Sequence, residues 1–479
     1  MNDGLTEFMA LDAPALLALV FASVSCAMLG NFLVLRRLSL MGDAIAHAVL
    51  PGLVLAFLVT AALGHPERAR DPLIMMAGAA LSGIVTVVLV EFIHRIGNVE
   101  KGAAMGVAFS VMFALGVLLL EQAAARHVDL DADCVLYGQL ESLMWLPTDS
   151  ASGYFSWSGI ADLPRQVITL MATTLLVMAF ALVFHKELRI AAFDPGLART
   201  LGLRPQLMHY ALMILVAVAA VAAFEAVGSI LVIALLICPA ATARLLTDSY
   251  RAQIVFTILL AIIGSAGGYF LGTRGPMAIG FDHAVNAAGM VTVAFGVLLA
   301  AAILLAPRYG VLARAAHRWR LSIKVLREDL LGLLYRVEEH GQAGLSRKQA
   351  AAALRDGPLS IAAIFMASRR GELDSNNGNL QLTAKGRQTA QSLIRSHRLW
   401  ESYLVNVLGL RPDHVHDTAM RLEHIVDAQS GRRLAPTSAA SVDPHNKPIP
   451  LDRSDQPPDA DSMSPTPDQP GQNSANHTE

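Results

Sequence analysis

Two sets of side chains in this sequence have the types and spacing to hold a metal ion. In the stretch SLMGDAIAHAVLPG, Ser39 to Gly52, Asp43 and His47 are four residues apart, so on a helix they stack on one face. Carboxylate and imidazole together suit divalent transition ions. Nearer the C-terminus, His397 and Glu401 repeat the i, i+4 spacing, and His416, Met420, Glu423 and His424 fall at i, i+4, i+7 and i+8, again one helical face. The second set contains no thiolate. Its donors favour Mn(II) or Fe(II) over a structural zinc site, although affinity order alone lets zinc compete.

The elements that must position these sets differ. Asp43 and His47 lie inside an apolar run, and a charged side chain near the bilayer centre costs about 2.5 to 3.5 kcal/mol on insertion scales. Either they line an ion path, or Asp43 caps a helix start at the interface while His47 bonds a backbone carbonyl. Two ligands undersupply an ion, and by composition alone Glu225, Cys238 and Met41 are the further candidates. A membrane setting fits the composition, with 54% of the 479 residues hydrophobic and only 16% charged, against roughly 25% charged in an average soluble domain. The 37 basic and 39 acidic side chains nearly cancel, so total charge points neither to nucleic acid nor to an acidic substrate. Cys26, Cys134 and Cys238 lack disulfide-framework or zinc-ribbon spacing. The N-terminal MNDGLTEFMALDAPALL lacks the features of a cleaved signal, so the first apolar run is expected to be retained as a span.

Runs of about 20 apolar residues cross the hydrocarbon layer as helix. Nine are readable, at 12–35, 40–63, 73–93, 103–121, 166–185, 207–224, 226–246, 252–271 and 284–306. Only Glu225 and Gly228 separate the sixth from the seventh, so one bent element there would make eight. Basic residues mark alternate loops at Arg36/Arg37, Arg95/Lys101, Lys186 to Arg204 and Arg244/Arg251, and they follow the last span from Arg308 to Lys324. The positive-inside rule then places the N-terminus outside and the C-terminus in the cytoplasm; Arg68 and Arg70, in an outside loop, count mildly against this.

From Ser322 to about Leu434 the pattern is that of compact soluble helices. REDLLGLLYRVEEHG stops at Gly341, SRKQAAAAL starts after a Ser cap, and LSIAAIFMASRRGEL ends at Gly371. A hairpin in LDSNNGNLQLT precedes two helices that carry the second donor set. Ala435 to Glu479 is rich in Pro, Asp, Ser, Gln and Asn and is expected to be disordered. The expected fold is an all-α polytopic membrane protein with 8–9 transmembrane helices, plus a small C-terminal winged-helix and helical metal-binding domain. Its divisions are a tail (1–11), a transmembrane domain (12–306), a cytoplasmic linker (307–324), a regulator-like domain (325–434) and a disordered tail (435–479).

A further segment, AAFDPGLARTLGL from Ala191 to Leu203, lies in a basic loop assigned to the cytoplasm. Asp194 can cap a short helix containing Pro195, Leu197 and Ala198, and Gly202 can end it. A short amphipathic helix exposed between two spans is a docking surface for another protein; the plainer alternative is an interfacial helix resting on lipid.

The string LRRLSLMGDAIAHAVLPGLVLAF resembles the second-helix signature of the metal-type ABC importer permeases, which carry manganese, zinc or iron. AAFDPGLARTLGL and EAVGSILVIALLICPAATARLL, Glu225 to Leu246, agree with it in order and spacing, so the resemblance covers about 12–306. It implies that Asp43 and His47 belong to the metal pathway and that Asp194 to Gly202 is the coupling helix that inserts into the ATP-hydrolysing subunit. Residues from about 325 to 450, with SHRLWES, HVHDTAMRLEH and DPHNKPIP, resemble the iron- and manganese-dependent repressors of the diphtheria toxin repressor type. By that resemblance His397, Glu401, His416, Glu423 and His424 stand at ligand positions, and Asp329 matches the acidic ligand of the manganese branch. Met420 stands where the family has Cys or Glu and Gly332 where the manganese branch has a second acid, departures that weaken one of the two sites. The plainer alternative leaves all of them as solvated helix-surface residues with inherited spacing.

No G-x-x-x-x-G-K-[ST] occurs, so ATP hydrolysis must come from a separate subunit, and no H-E-x-x-H supports an intramembrane metalloenzyme. The expectation is a non-enzymatic permease subunit of an ATP-driven importer of divalent transition metals, manganese first and then iron or zinc, in a bacterial cytoplasmic membrane. Its partners would be an ABC ATPase subunit, an extracytoplasmic metal-binding protein and a second permease copy or paralogue. Transport itself would need no cofactor, while the C-terminal module would bind Mn2+ or Fe2+ as a metal-sensing or dimerisation module. The alternative is a membrane-tethered metal-dependent transcriptional regulator. Against it, the helix PLSIAAIFMASRRG is apolar where base readout needs polar side chains, and Arg369 and Arg370 offer only phosphate contacts, so DNA is disfavoured as a partner.

Overall fold

The computed structural model describes residues 6–36, 38, 40–64, 71–124, 138, 140–146, 162–280, 283–342, 344–354, 357–376, 378–422, 442–445 and 447–450. Two compact units divide the chain, Met1–Arg314 and Ala315–Glu479.

The first unit is helical. It runs through α1 (Ala13–Leu35), α2 (Leu40–Ala62), α3 (Pro72–Gly97), α4 (Lys101–Ala124), α5 (Arg165–Val183), α6 (His185–Phe193), α7 (Pro195–Thr200), α8 (Pro205–Leu246), α9 (Tyr250–Thr273), α10 (Gly275–Ala278) and α11 (Ala287–Leu305). Among the described residues, seven helices are long and apolar enough to cross a membrane, and Ala48–Ala62 of α2 is a shorter apolar helix. α8 has 42 residues, about 63 Å if straight and twice the hydrocarbon thickness. It is broken at Gly228, whose φ of 77° and ψ of 163° lie in a region essentially reserved for glycine. The sixth and seventh apolar runs of the sequence are therefore the two halves of α8, and the break falls beside Glu225, where the sequence suggested it.

α8 packs along α1, and the approach is close enough to need glycine: a Cβ on Gly30 would lie 1.8 Å from the carbonyl oxygen of Leu236. α2 packs against α3 and α4, and α9 against α11. Polar clasps add direction to this apolar packing. The side-chain oxygen of buried Asn31 on α1 accepts from Gln253 Nε2 and Thr257 Oγ1 on α9, each at 3.0 Å. At the start of α1, Asp12 accepts from Tyr269 and pairs with Arg274. Large apolar side chains such as Leu81, Val88, Phe92 and Val111 point outward, as expected of helices whose solvent is lipid.

The second unit begins on α12 (Val311–Glu339) and continues through β1 (Leu345–Ser346), α13 (Arg347–Ala353), α14 (Pro358–Arg369), β2 (Leu373–Asn376), β3 (Asn379–Leu382), α15 (Ala384–Asn406) and α16 (His416–Leu422). Its three strands form an antiparallel sheet in the order β1-β3-β2, with Leu373 opposite Leu382 and Asn376 opposite Asn379 at the hairpin. A capping box at Ser346 and Gln349 starts α13. Leu330, Leu331 and Leu334 of α12 pack with Leu354, Ile364, Leu373, Leu380 and Leu382 into one core.

Two stretches differ from expectation. The 307–324 linker is helical from Val311 onward, since its Ala, Leu, Arg and Lys content carries strong helix formers and no Gly or Pro after Gly310. Within the 435–479 tail, residues 442–445 and 447–450 are placed: Val442 bridges Pro448, and Asp443 accepts from the backbone N–H groups of His445 and Lys447. Arg395 and Arg398 of α15 donate to the carbonyls of Pro450 and Pro448. These hydrogen bonds fix a segment whose composition alone could not order it. The remainder of that tail lies outside the described residues, as do Arg68 and Arg70.

Candidate metal centre and coupling surface

α15 carries His397 and Glu401 one turn apart, both buried. α16 folds back on it through a small cluster in which Leu404 meets Val415 and Ala419, flanked by Trp400. This packing brings His416 to the same point. His397 Nε2 lies 3.1 Å from Glu401 Oε1 and 3.1 Å from His416 Nδ1, and His416 Nδ1 lies 2.8 Å from Glu401 Oε1.

Each of these ring nitrogens carries either a proton or a lone pair in the ring plane, and the ionised carboxylate only accepts. If both nitrogens donate to Glu401, two N–H groups face each other; if one nitrogen accepts from the other, its lone pair faces the carboxylate. No choice of tautomer makes all three contacts favourable. A cation at the centre does, and a separation of about 3 Å is that of neighbouring ligands around a six-coordinate ion bonded at about 2.1 Å. The donor set therefore fits a divalent metal. Burial pushes the Glu401 carboxyl up, but hydrogen bonds from His397 and His416 and the charge of the two rings outweigh it and hold it down at about 2. Glu401 is thus ready as an anionic ligand.

His445 was not singled out from the sequence. The segment tied down by Arg395 and Arg398 holds its Nε2 4.0 Å from Glu401 Oε1, beside the triad. Among the described residues, neither Asp329 nor Met420 is part of this cluster. Asp329 is half-buried on α12, and Met420 is exposed on α16. Gly332, where a second acid was expected, faces Leu393 and Ile394. Glu423 and His424 lie outside the described residues.

In the first unit, Asp43 and His47 are both on α2, one turn apart on a single face as their spacing requires; their side chains are outside the described set. Met41, Ala44, Ile45 and Ala48 are buried on the same turns of α2. Glu225 is held by Gln166 of α5, whose Nε2 donates to Oε1 at 3.1 Å. Cys238 is half-buried on the second half of α8.

The segment Asp194 to Gly202 forms α7. The Asp194 side chain accepts from the N–H of Leu197 at 2.9 Å, Pro195 opens the helix, and Gly202 at φ 77° closes it while Leu203 N–H returns to the carbonyl of Ala198. Ala198 and Leu188 are buried anchors. Leu197 and Leu201, four apart on α7 and its cap, form an apolar stripe, with Phe193 at the end of α6 also apolar; all three are at least half exposed.

Fold and sites together define a polytopic membrane protein with a helical metal-binding module at its C-terminal end. Residues 7–145 and 160–304 match the ABC 3 transport family, and residues 383–451 match the iron dependent repressor, metal binding and dimerisation domain. The zinc transport system membrane protein TroD of Treponema pallidum (strain Nichols) is 37% identical over 78% of this chain and 96% of its own. The manganese transport system membrane protein MntD of Bacillus subtilis (strain 168) is 36% identical over 62% of this chain and 92% of its own. The solved structure of PsaBC from Streptococcus pneumoniae in complex with Fab shares 26% identity and a TM-score of 0.48, covering 62% of this chain and 92% of that one. The chain belongs to the ABC 3 transport family: it is an ABC permease with a repressor-type metal-binding domain attached.

Proposed function

We propose that this permease imports a divalent transition metal, manganese first and then iron or zinc, and that its C-terminal module binds the same ion on the cytoplasmic side. Manganese and zinc transport relatives support the substrate class. The observation that carries the metal reading is the triad of His397, Glu401 and His416, whose ligand atoms all lie within 4.8 Å of one another. A chain that both transports and senses an ion can read out its own product.

In this reading an extracytoplasmic binding protein delivers the ion, which loses its hydration shell and takes Asp43 and His47 as substitute donors. Their i, i+4 spacing on one helix supports a shared role in that path, completed by a second permease copy or paralogue. Glu225, held by Gln166, is available to the same path beside the break in α8. A separate ATPase docks on the exposed stripe Phe193, Leu197 and Leu201, with Asp194, Pro195, Ala198 and Gly202 fixing the helix that carries it. The C-terminal module, with His397, Glu401 and His416, and with Asp329, Glu423, His424 and Met420 as further donors, slows transport when the ion is abundant. Uptake by a chain truncated after Leu321 tests that regulation: unchanged transport in metal-replete cells removes it.

DNA binding is not favoured. The outward face of α14 presents Ile361, Phe365 and Met366 with Arg369 and Arg370, while Ser360 is buried, and base readout requires hydrogen-bonding side chains there.

A further inference from the structure

Among the cavities and charged clusters of the first unit, one lies apart from the metal path and borders the coupling stripe at Phe193. It is a cavity of about 680 Å³ bounded by the end of α1, the last turns of α3, the starts of α4 and α8, and the α6–α7 corner. Arg36, Arg95, Lys101 and Arg199 all line it, and the one acidic side chain in its wall among the described residues, Glu91, is already paired with Arg95 one turn away. Such a wall repels a divalent cation. These residues lie in or beside the loops that the positive-inside rule assigns to the cytoplasm.

Arg36 supplies the sharpest detail. Its Nη1 lies 3.5 Å from His209 Nδ1 and can donate to it, which fixes the plane of the guanidinium. The opposite edge, Nε and Nη2, is buried and has no hydrogen-bond partner among the described residues. Those two N–H groups point the same way and form the fork that grips two oxygens of one anion. A buried donor pair without an acceptor is rare in folded proteins. Its natural acceptor has several oxygens and a charge that the remaining cations can share, and the cavity has room for more than a carboxylate.

We propose that this cavity binds a phosphate-bearing anion through the Nε/Nη2 fork of Arg36, with Lys101 and Arg199 neutralising its charge. The phosphate comes either from the headgroup of an anionic phospholipid in the adjoining leaflet or from a free phosphate compound. Because Phe193, Pro195 and Arg199 belong both to the cavity wall and to the α6–α7 corner, its occupancy bears directly on the coupling helix.

The test uses the full-length protein with its cognate ATPase, as wild type, Arg36→Gln and Lys101→Gln. In one arm the complex is extracted from bilayers of phosphatidylcholine with phosphatidylglycerol, and retained lipid is counted by native mass spectrometry. In the other it sits in phosphatidylcholine nanodiscs and inorganic phosphate is titrated while thermal unfolding is followed. A lipid source predicts phosphatidylglycerol retained by wild type and bound about tenfold more weakly by each variant, about 1.4 kcal/mol; a free source predicts the same ratio in the phosphate arm. Lys101 is only half-buried, so Lys101→Gln decides the matter if Arg36→Gln fails to fold. Equal binding by wild type and Lys101→Gln in both arms overturns the proposal. So does release of the ATPase by Lys101→Gln with lipid and phosphate binding unchanged, which would make the cavity a protein contact.

Discussion

Replacing Glu401 with Gln keeps the shape of the triad and removes its negative charge. The two imidazoles favour the ionised carboxylate enough to move its pKa from an ordinary 4.5 to about 2, a difference of about 3 kcal/mol. A divalent ion seated among the same three atoms attracts that carboxylate at least as strongly, because it carries more charge at shorter range. Glu401→Gln should therefore weaken Mn(II) binding at this site by about 3 kcal/mol, or about two orders of magnitude in Kd. The measurement is the free Mn(II) signal in electron paramagnetic resonance, titrated against detergent-purified full-length protein, with the chain truncated after Leu321 as the baseline for ions bound elsewhere. An unchanged Kd for the sites that truncation removes would refute the reasoning, since a buried carboxylate ligand could not be lost without cost.

The depressed Glu401 pKa also fixes a pH dependence. Its contribution to stability is complete above about 4.5 and drains away as pH falls through about 2, so the difference in thermal unfolding midpoint between wild type and Glu401→Gln should be flat from pH 5 to 8 and shrink below 4.5. Asn31→Ala should destabilise the first unit by about 1 to 3 kcal/mol, because Gln253 Nε2 and Thr257 Oγ1 lose their shared buried acceptor; thermal unfolding in detergent measures it. Gly228→Ala should cost about 1 to 3 kcal/mol by the same assay, since its φ and ψ exclude a Cβ-bearing residue. Leu197→Asp, at an exposed position, should leave folding unchanged yet abolish co-purification of the ATPase, and full retention of the ATPase would remove α7 from the coupling role.

What the sequence revealed follows the range of its physics. Local periodicity was enough for the apolar helices, for the Asp194 cap, for the hairpin at Asn376 and Asn379, and for the i, i+4 pair His397/Glu401. It also located the break in α8, because a lone Glu and Gly interrupt an otherwise unbroken apolar run. Joining His416 to that pair depends on how α16 packs back through Leu404, Val415 and Ala419, which spacing within one helix cannot express. His445 was illegible for a further reason: its segment is ordered by Arg395 and Arg398 reaching backbone carbonyls some 50 residues away in sequence. The cationic cavity draws single residues from separate helices, each of which read alone as an ordinary positive-inside marker. Asp329 was expected at the metal by resemblance, yet the described triad forms without it.

The central claim is that this chain moves a transition-metal ion past Asp43 and His47. Uptake of radiolabelled manganese, iron and zinc into cells carrying the cognate ATPase and binding protein tests it most directly, with wild type set beside Asp43→Asn and His47→Ala at matched membrane abundance. The account predicts metal uptake by wild type and its loss, or a changed order of preference among the three ions, in both variants. Wild-type flux and selectivity in both variants would contradict it.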